Sequence, residues 1–562
     1  MPRRSGSRRL DGVRSQVGAA EGHVIDELLA GRLGRREFLR RATVLGMSIP
    51  LAGGVLAACA GEVPGESPGP AAGPQQAGGT LRNAVNAPTA AIDPTTVADN
   101  GGLVTMCQVG EYLSYTDSSP ELRPVLAERW APDDTGRVWT FDIRQGVRFH
   151  NGAPLTVADV VATFERLADP ANGSNALSVF SGVLSAGATR AQGDTQVVFE
   201  LDKPTVNFPY LVSSQNYNSM ILPASYDPAQ FTVDMMGTGP FRFESYTPGV
   251  GAAFVANPDY WDPTRPPFLE RIELKYYSDM QPQILALQGG EVDVVSGISF
   301  SSGRGLLADP NFTALYVPSS YTRHLSMRTD QAPFDDARVR RALALALDRP
   351  AALRALLDDK GELGNDSPFA PSQATTDTTV PQRALDLAQA RQLLADAGYA
   401  DGFDATIAAP RTVDIPDLAV TIQNAARDIG MRIELNIMAP NDYYGDATFG
   451  ASPWLDSQLS LVDYGHRSVP DVVANAALRS DGVWNAAHYR SPQYDALFDE
   501  YSSQLDVTRQ KEAVGAMQRL LLEDTPIIVP YFLNWLGATA NGVQGVNLNP
   551  TGQLDLSRAS IA

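Results

Sequence analysis

From Gly78 onward the hydrophobic periodicity switches repeatedly between two residues and three to four, and this interleaving confines the chain to an α/β architecture. Trp139, Phe141 and Ile143 alternate with Thr140, Asp142 and Arg144, the pattern of a half-buried strand. Thr156 then opens a predicted helix, with Asp159 at its third position and Val160, Phe164 and Leu167 on one face. Ile272, Leu274 and Tyr276 repeat the strand pattern, as do Ile433, Leu435 and Ile437. Asp336 opens a helix carrying Val339, Leu343, Ala346 and Leu347; Asp386 opens another that runs through Leu393 and Leu394 to Gly398. A chain of 562 residues exceeds what one core can serve, so at least two lobes are expected.

The segment before this body has a different texture. Gly34-Arg35-Arg36-Glu37-Phe38-Leu39-Arg40 resembles a twin-arginine export signal. The apolar stretch from Ala42 to Val55 is too short and too rich in Gly and Ala to make a good transmembrane helix, which suits the core of a signal peptide. It ends in Leu56-Ala57-Ala58-Cys59, which resembles the lipobox of bacterial lipoproteins, where the cysteine is acylated and becomes the mature N-terminus. Residues 1–58 are therefore read as the signal peptide and Cys59 as the lipidation site. Gly and Pro crowd residues 59–77, which cannot bury a core and are expected to form a tether with a reach of roughly 25 Å.

The formal net charge is -20, and since the first 58 residues are net basic the acidity lies in the body. Such a surface repels phosphate backbones, so nucleic acid is not an expected partner. With Cys59 modified, Cys107 has no disulfide partner; in Val104-Thr105-Met106-Cys107 it reads as a small core residue. No His-Glu-x-x-His and no phosphate-binding Gly-x-x-x-x-Gly-Lys-Ser/Thr occurs. The one Gly-x-Ser-x-Gly, Gly65-Glu66-Ser67-Pro68-Gly69, falls in the tether, where no strand and helix can form a nucleophile elbow. His150, His324, His466 and His488 are too far apart in sequence for a two-histidine metal helix. No enzymatic activity, cofactor or resident metal is expected.

The stretch Gly146-Val147-Arg148-Phe149-His150-Asn151-Gly152-Ala153-Pro154-Leu155-Thr156-Val157-Ala158-Asp159-Val160 resembles the signature of the extracellular solute-binding family 5, which serves peptide, dipeptide and nickel importers. Further stretches follow in the family's order: Gly237-Thr238-Gly239-Pro240-Phe241, Asn257-Pro258-Asp259-Tyr260-Trp261, Gly290-Glu291-Val292-Asp293, and the run from Pro333 to Leu343. Ala397-Gly398-Tyr399, Ile429-Gly430 and Trp484-Asn485 continue it, so that the likeness spans roughly residues 78–535.

The resemblance implies an α/β fold: a two-lobed periplasmic-binding-protein clamshell with an extra α/β domain on the first lobe. Lobe I is placed at 78–113, 235–313 and 527–562, the extra domain at 114–234, and lobe II at 314–526, with Pro318 and Pro526 near the hinge strands. Most signature residues are expected to build scaffold, Gly146 and Gly152 in turns and Trp261 as a core plug.

The resemblance also implies a receptor that closes around a peptide or peptide-like solute and releases it unchanged. Its partners would be an integral-membrane permease and that permease's cytoplasmic ATPases. The receptor would work as a monomer, lipid-anchored at the outer face of the cytoplasmic membrane. Asp463 falls where it resembles the aspartate that meets the ligand amine in peptide-binding relatives, although the family's Asp-Pro is reversed here as Pro470-Asp471. Candidate ligand-binding residues are Asp463, Tyr464, Gly465 and His466, with Trp454 and Trp484 as walls and Tyr112 and Tyr321 near hinge and cleft. Arg323 and Arg411 are the candidates for a ligand carboxylate. The His466-Arg467 pair leaves a nickel chelate as an alternative ligand; a sugar or other small solute, a secreted hydrolase and a sensor domain are the remaining alternatives.

Overall fold

The computed structural model describes residues 77–117, 121–445 and 447–561. The signal peptide, Cys59 and all of the tether except Ala77 lie outside the described residues.

A single mixed sheet runs through the molecule. Thr80–Asn86 pairs in parallel with Arg271–Tyr277 on one side and with Val294–Ser296 on the other. The hairpin of Phe241–Thr247 and Gly251–Ala256 extends the first side to an edge. On the second side Val294–Ser296 meets Tyr531–Ala540, which pairs antiparallel with the long strand Phe312–Met327. Leu459–Tyr464, Asp404–Pro410 and Arg432–Met438 complete the order to the opposite edge.

Two antiparallel strands therefore carry the sheet from one lobe to the other. Residues Phe312–Pro318 pair with Asn534–Ala540, whereas Thr322–Met327 pair with Leu459–Tyr464. The register shifts between Pro318 and Thr322. Pro318 has no N–H to donate, so the ladder is weakest where the strand changes partners.

The expected periodicities act as written. Arg271–Tyr277 buries Ile272, Leu274 and Tyr276 in strict alternation, and Val138–Ile143 buries Trp139, Phe141 and Ile143. Arg432–Met438 fully buries Ile433 but leaves Leu435 and Ile437 half-buried, because it is the last strand of the sheet and packs against one neighbour only. The helix Val157–Ala168 starts where Thr156 donates both its backbone N–H and its hydroxyl to Asp159 Oδ2 at 2.8 Å. Asp336 and Asp386 cap Ala337–Ala346 and Leu387–Asp396 by accepting the amides of Arg338 and Gln389, each at 2.8 Å. Gly398, at φ +89°, ends the second of these helices in a conformation that glycine alone adopts readily.

Within the segment expected as an extra domain, Ala127–Pro132, Val138–Ile143, Gln196–Glu200 and Thr189–Gln192 form a four-stranded antiparallel sheet in that order. Helix Val157–Ala168 packs on it over a core of its own, in which Phe199 meets Phe141 and Phe164 edge-to-face at 5.3 and 5.0 Å.

The signature stretches converge around one buried carboxylate beside the join of this module to the larger sheet. Glu111 accepts hydrogen bonds from Thr238 Oγ1 at 2.8 Å, Tyr260 OH at 2.7 Å and Trp261 Nε1 at 2.7 Å. Gly237 and Gly239 lie against the Val109 carbonyl so closely that a Cβ would come within 2.0 and 2.7 Å of it. His150, from the first stretch, donates its backbone N–H to Gly237 O at 2.9 Å. Burial pushes the Glu111 carboxyl up to about 7, against the pull of its three donors. Trp261 is half-buried and hydrogen-bonded rather than a closed core plug, with Arg144 stacked over its ring at 4.8 Å.

Candidate functional site

Asp463 sits near the end of Leu459–Tyr464, directly opposite Arg323 in the antiparallel register. The two do not pair closely: Arg323 Nη1 stays 3.9 Å from Asp463 Oδ2, while Nη2 lies 2.6 Å from Asp414 Oδ1. Asp414 also accepts from Tyr531 OH at 2.9 Å. Asp463 keeps 25% of its side chain exposed and accepts from Tyr321 OH at 3.1 Å and from Tyr444 OH. Burial first, then the Asp463 charge, raises the Tyr444 phenol above its ordinary range, so it remains a proton donor to the carboxylate.

The carboxylate faces a cavity of about 200 Å³ walled by Tyr444, Trp454, Tyr464 and Trp484, with Gly465 and Arg467 at its rim. Tyr464 leans over Trp484 at 6.0 Å, and Tyr444 meets Trp454 edge-on at the same distance. Large flat apolar surfaces around one carboxylate suit a ligand that presents an ammonium next to an apolar side chain.

This cavity shares lining residues with two others. Arg467 also lines one of about 210 Å³ with Asn175, Gln215 and Asn218. Val472 also lines one of about 320 Å³ with Val179, Lys203 and Phe498. Hydrogen bonds that cross between the four-stranded module and the strand-crossed lobe frame them. Asn207 Nδ2 donates to Asp471 Oδ2 at 2.9 Å, Val206 N to Ser502 O at 3.1 Å, and Ser468 N to Gln215 Oε1 at 3.1 Å. Tyr501 OH adds a further bond to Asp471 Oδ2 at 2.7 Å, and burial raises that carboxyl above its ordinary value.

The residues singled out in the sequence distribute unevenly. Trp454, Asp463, Tyr464, Gly465 and Trp484 line the same cavity, and Tyr321 reaches it through its phenol. Arg323 does not serve as a free carboxylate anchor: it is 1% exposed and held by Asp414, because a buried guanidinium needs its own counter-ion. Arg411 is exposed and lies past the end of Asp404–Pro410, away from this cavity. His466 turns inward, its Nδ1 accepting from Ser320 N at 2.9 Å, and burial lowers its pKa to about 3. Tyr112 is buried, donates to Tyr217 O at 3.1 Å and borders a separate small cavity beside Cys107 and Glu111. Sequence reasoning missed Tyr444, whose partner Asp463 is 19 residues away, and left Arg467 out of the peptide site.

The arrangement around Asp463 can bind a cationic group beside an apolar one. Among the described residues no cluster of three His, Cys, Asp or Glu side chains is placed to hold a metal ion. Burial pushes the Cys107 thiol up to about 12, so it stays protonated and unreactive.

Residues 121–466 match the profile of the bacterial extracellular solute-binding proteins, family 5 Middle. The glutathione-binding protein GsiB of Escherichia coli (strain K12) is 25% identical over 421 residues, covering 68% of this chain and 80% of that protein. Di/tripeptide-binding protein 2 of Pseudomonas aeruginosa (strain UCBPP-PA14) is 28% identical over 308 residues, 51% of this chain and 57% of that one. Among solved structures, the periplasmic binding protein DppA of Helicobacter pylori in complex with the peptide STSA superposes with a TM-score of 0.69 at 22% identity, over 86% of this chain and 98% of that chain. The shared fold is the two-lobed periplasmic-binding-protein clamshell with its added α/β module, and the profile covers well over half the chain. The chain belongs to the bacterial extracellular solute-binding proteins of family 5.

Proposed function

We propose that the protein captures peptide or peptide-like solutes outside the cytoplasmic membrane and hands them, unaltered, to the permease of an ATP-driven importer. The observation that carries this reading is the partly exposed Asp463 carboxylate, held by two phenols beside an aromatic-walled cavity whose lining comes from the strand-crossed lobe. An ammonium matches that carboxylate, and the aromatic faces match an apolar side chain beside it. Relatives named for glutathione and for di- and tripeptides support the same ligand class.

Closure is read as a rotation about the two crossing strands, at the register shift after Pro318 and at the facing segment Phe532–Asn534. The crossing thus falls later in the chain than Pro526. The domain edges proposed are those of the sequence reading: 78–113, 235–313 and 527–562 for lobe I, 114–234 for the added module and 314–526 for lobe II. Anchoring through an acylated Cys59 after twin-arginine export, and action as a monomer, complete the proposal.

Trp454 and Trp484 provide the test, since a ligand entering their cavity alters their fluorescence. Titrating short peptides into the wild type should give a saturable change that Asp463→Ala abolishes or weakens at least tenfold. An equal response from the variant removes Asp463 from the site.

A further inference from the structure

Arg467 stands where two cavities meet, and its surroundings leave its charge uncompensated. Its backbone is clamped: the N–H donates to Ser320 Oγ at 2.8 Å, and the carbonyl accepts from Ser320 Oγ and Gln373 Nε2, each at 2.8 Å. The side chain makes one hydrogen bond, from Nη1 to the His466 carbonyl at 2.8 Å, while Nε is buried with no partner. Buried arginines elsewhere in the fold have a carboxylate or a ring of carbonyls beside them, although Arg323 Nη1 and Arg349 Nε also lack hydrogen-bond partners. Arg323 has Asp414, Arg349 has Asp366, and Arg340 is ringed by the carbonyls of Phe334, Asp335, Asp524 and Thr525. Among the described residues Arg467 forms no ion pair.

The cavity beyond Arg467 is polar, and among the described residues lining it Arg467 is the one charged group. Its amides are already occupied as donors. Asn216 Nδ2 donates to Leu211 O at 3.0 Å, Asn218 Nδ2 to Pro94 O at 2.8 Å, and Gln215 Nε2 to Thr116 Oγ1. An anion entering that space finds one strong donor, the guanidinium. On the other side the same guanidinium borders the cavity that holds Asp463. Either cavity alone falls below the roughly 300–1,000 Å³ of ordinary small-molecule sites, and the volumes of the two neighbours on either side of Arg467 together fall within it.

We propose that Arg467 is the specificity-determining anchor for the carboxylate of the bound solute, so that the ligand is a short zwitterion stretched between Asp463 and Arg467. This rests on the reading of Asp463 as the ammonium anchor. It narrows the ligand class to short peptides with both termini free. The planar fork of an arginine suits a carboxylate bidentately, which a lysine matches only in charge.

Isothermal titration with Ala-Ala-Ala, Ala-Leu-Ala and Ala-Phe-Ala, each as free acid, C-terminal amide and N-acetyl derivative, tests the assignment. The wild type should bind the free acids and lose about thirtyfold in affinity on amidation. Arg467→Gln should bind acid and amide equally, at the wild-type affinity for the amide, and Arg467→Lys should recover part of the preference. Equal wild-type affinity for acid and amide overturns the assignment without any variant. So does an Arg467→Gln protein that weakens both forms alike, since that marks a residue holding its own loop. If acid and amide bind alike while acetylation abolishes binding, the peptide reading stands and the Arg467 anchor falls. If no form binds the wild type, both fall.

Discussion

Arg323 and Asp463 face each other across adjacent strands, yet the guanidinium is drawn to Asp414 at 2.6 Å and stays 3.9 Å from Asp463. Asp414 thereby keeps the Asp463 carboxylate from being neutralised by its nearest arginine. Tyr321 and Tyr444 hold that carboxylate in place as donors without cancelling its charge. A fixed carboxylate short of one cation, next to aromatic walls, is a site prepared for an incoming ammonium.

Replacing Asp414 should therefore damage binding through Arg323. Asp414→Asn leaves Arg323 with Asp463 as its remaining carboxylate, and peptide affinity should fall by about tenfold or more. Calorimetric titration checks this; unchanged affinity means that Asp414 does not guard the site.

The Asn207–Asp471 bond joins the added module to the opposite lobe next to the cavities. Asn207→Ala should favour opening and raise the ligand off-rate by up to about tenfold, with little change in on-rate. Stopped-flow fluorescence separates the two rates.

Glu111 should make stability depend on pH. Its carboxyl ionises at about 7 in the folded protein against 4.5 as an isolated group. The folded state thus holds the proton more tightly. The stabilisation is complete below pH 4.5, declines as pH rises towards 7, and by then has cost at most about 3 kcal/mol. Melting temperatures of the wild type and Glu111→Gln should converge near pH 4.5 and separate up to pH 7, the variant becoming the more stable of the two. Parallel curves across that range contradict the assignment.

Asp366 is fully buried between two arginines. Arg349 Nη2 contacts both its oxygens at 2.6 and 2.7 Å, Arg383 Nε lies 2.7 Å away, and Val529 N donates to it at 3.2 Å. Asp366→Ala strands two buried cations and should lower stability by about 3–5 kcal/mol in urea unfolding.

Two glycines should respond in opposite directions. Gly237→Ala drives a Cβ onto the Val109 carbonyl and should lower stability by at least about 2 kcal/mol. Gly305, inside Phe300–Leu307, has open space around its Cβ position, and Gly305→Ala should add about 0.5–1 kcal/mol. Thermal melts of both variants compare them directly.

Local structure was legible because its causes are local. Asp336 and Asp386 cap helices through amides two or three residues away, and the alternation at Ile272, Leu274 and Tyr276 needs no partner to be read. Long-range pairings were not. Trp261 reads as a core plug until Glu111, 150 positions earlier, appears as its acceptor. Arg323 looked as available as any arginine because Asp414 is 91 positions away. Arg467 passed over for the same reason in reverse: no sequence pattern announces that a guanidinium lacks a counter-ion. The cavity's aromatic walls were half visible, Trp454, Tyr464 and Trp484 flanking Asp463 in sequence, while Tyr444 joins only through the packing of Pro440–Tyr444 against the sheet.

A crystal structure of the protein with a tripeptide bound bears most directly on the account. The ligand's ammonium should lie within hydrogen-bonding distance of Asp463, with its chain between Trp454 and Trp484 and every covalent bond intact. A peptide lodged elsewhere, or one that leaves cleaved, contradicts it.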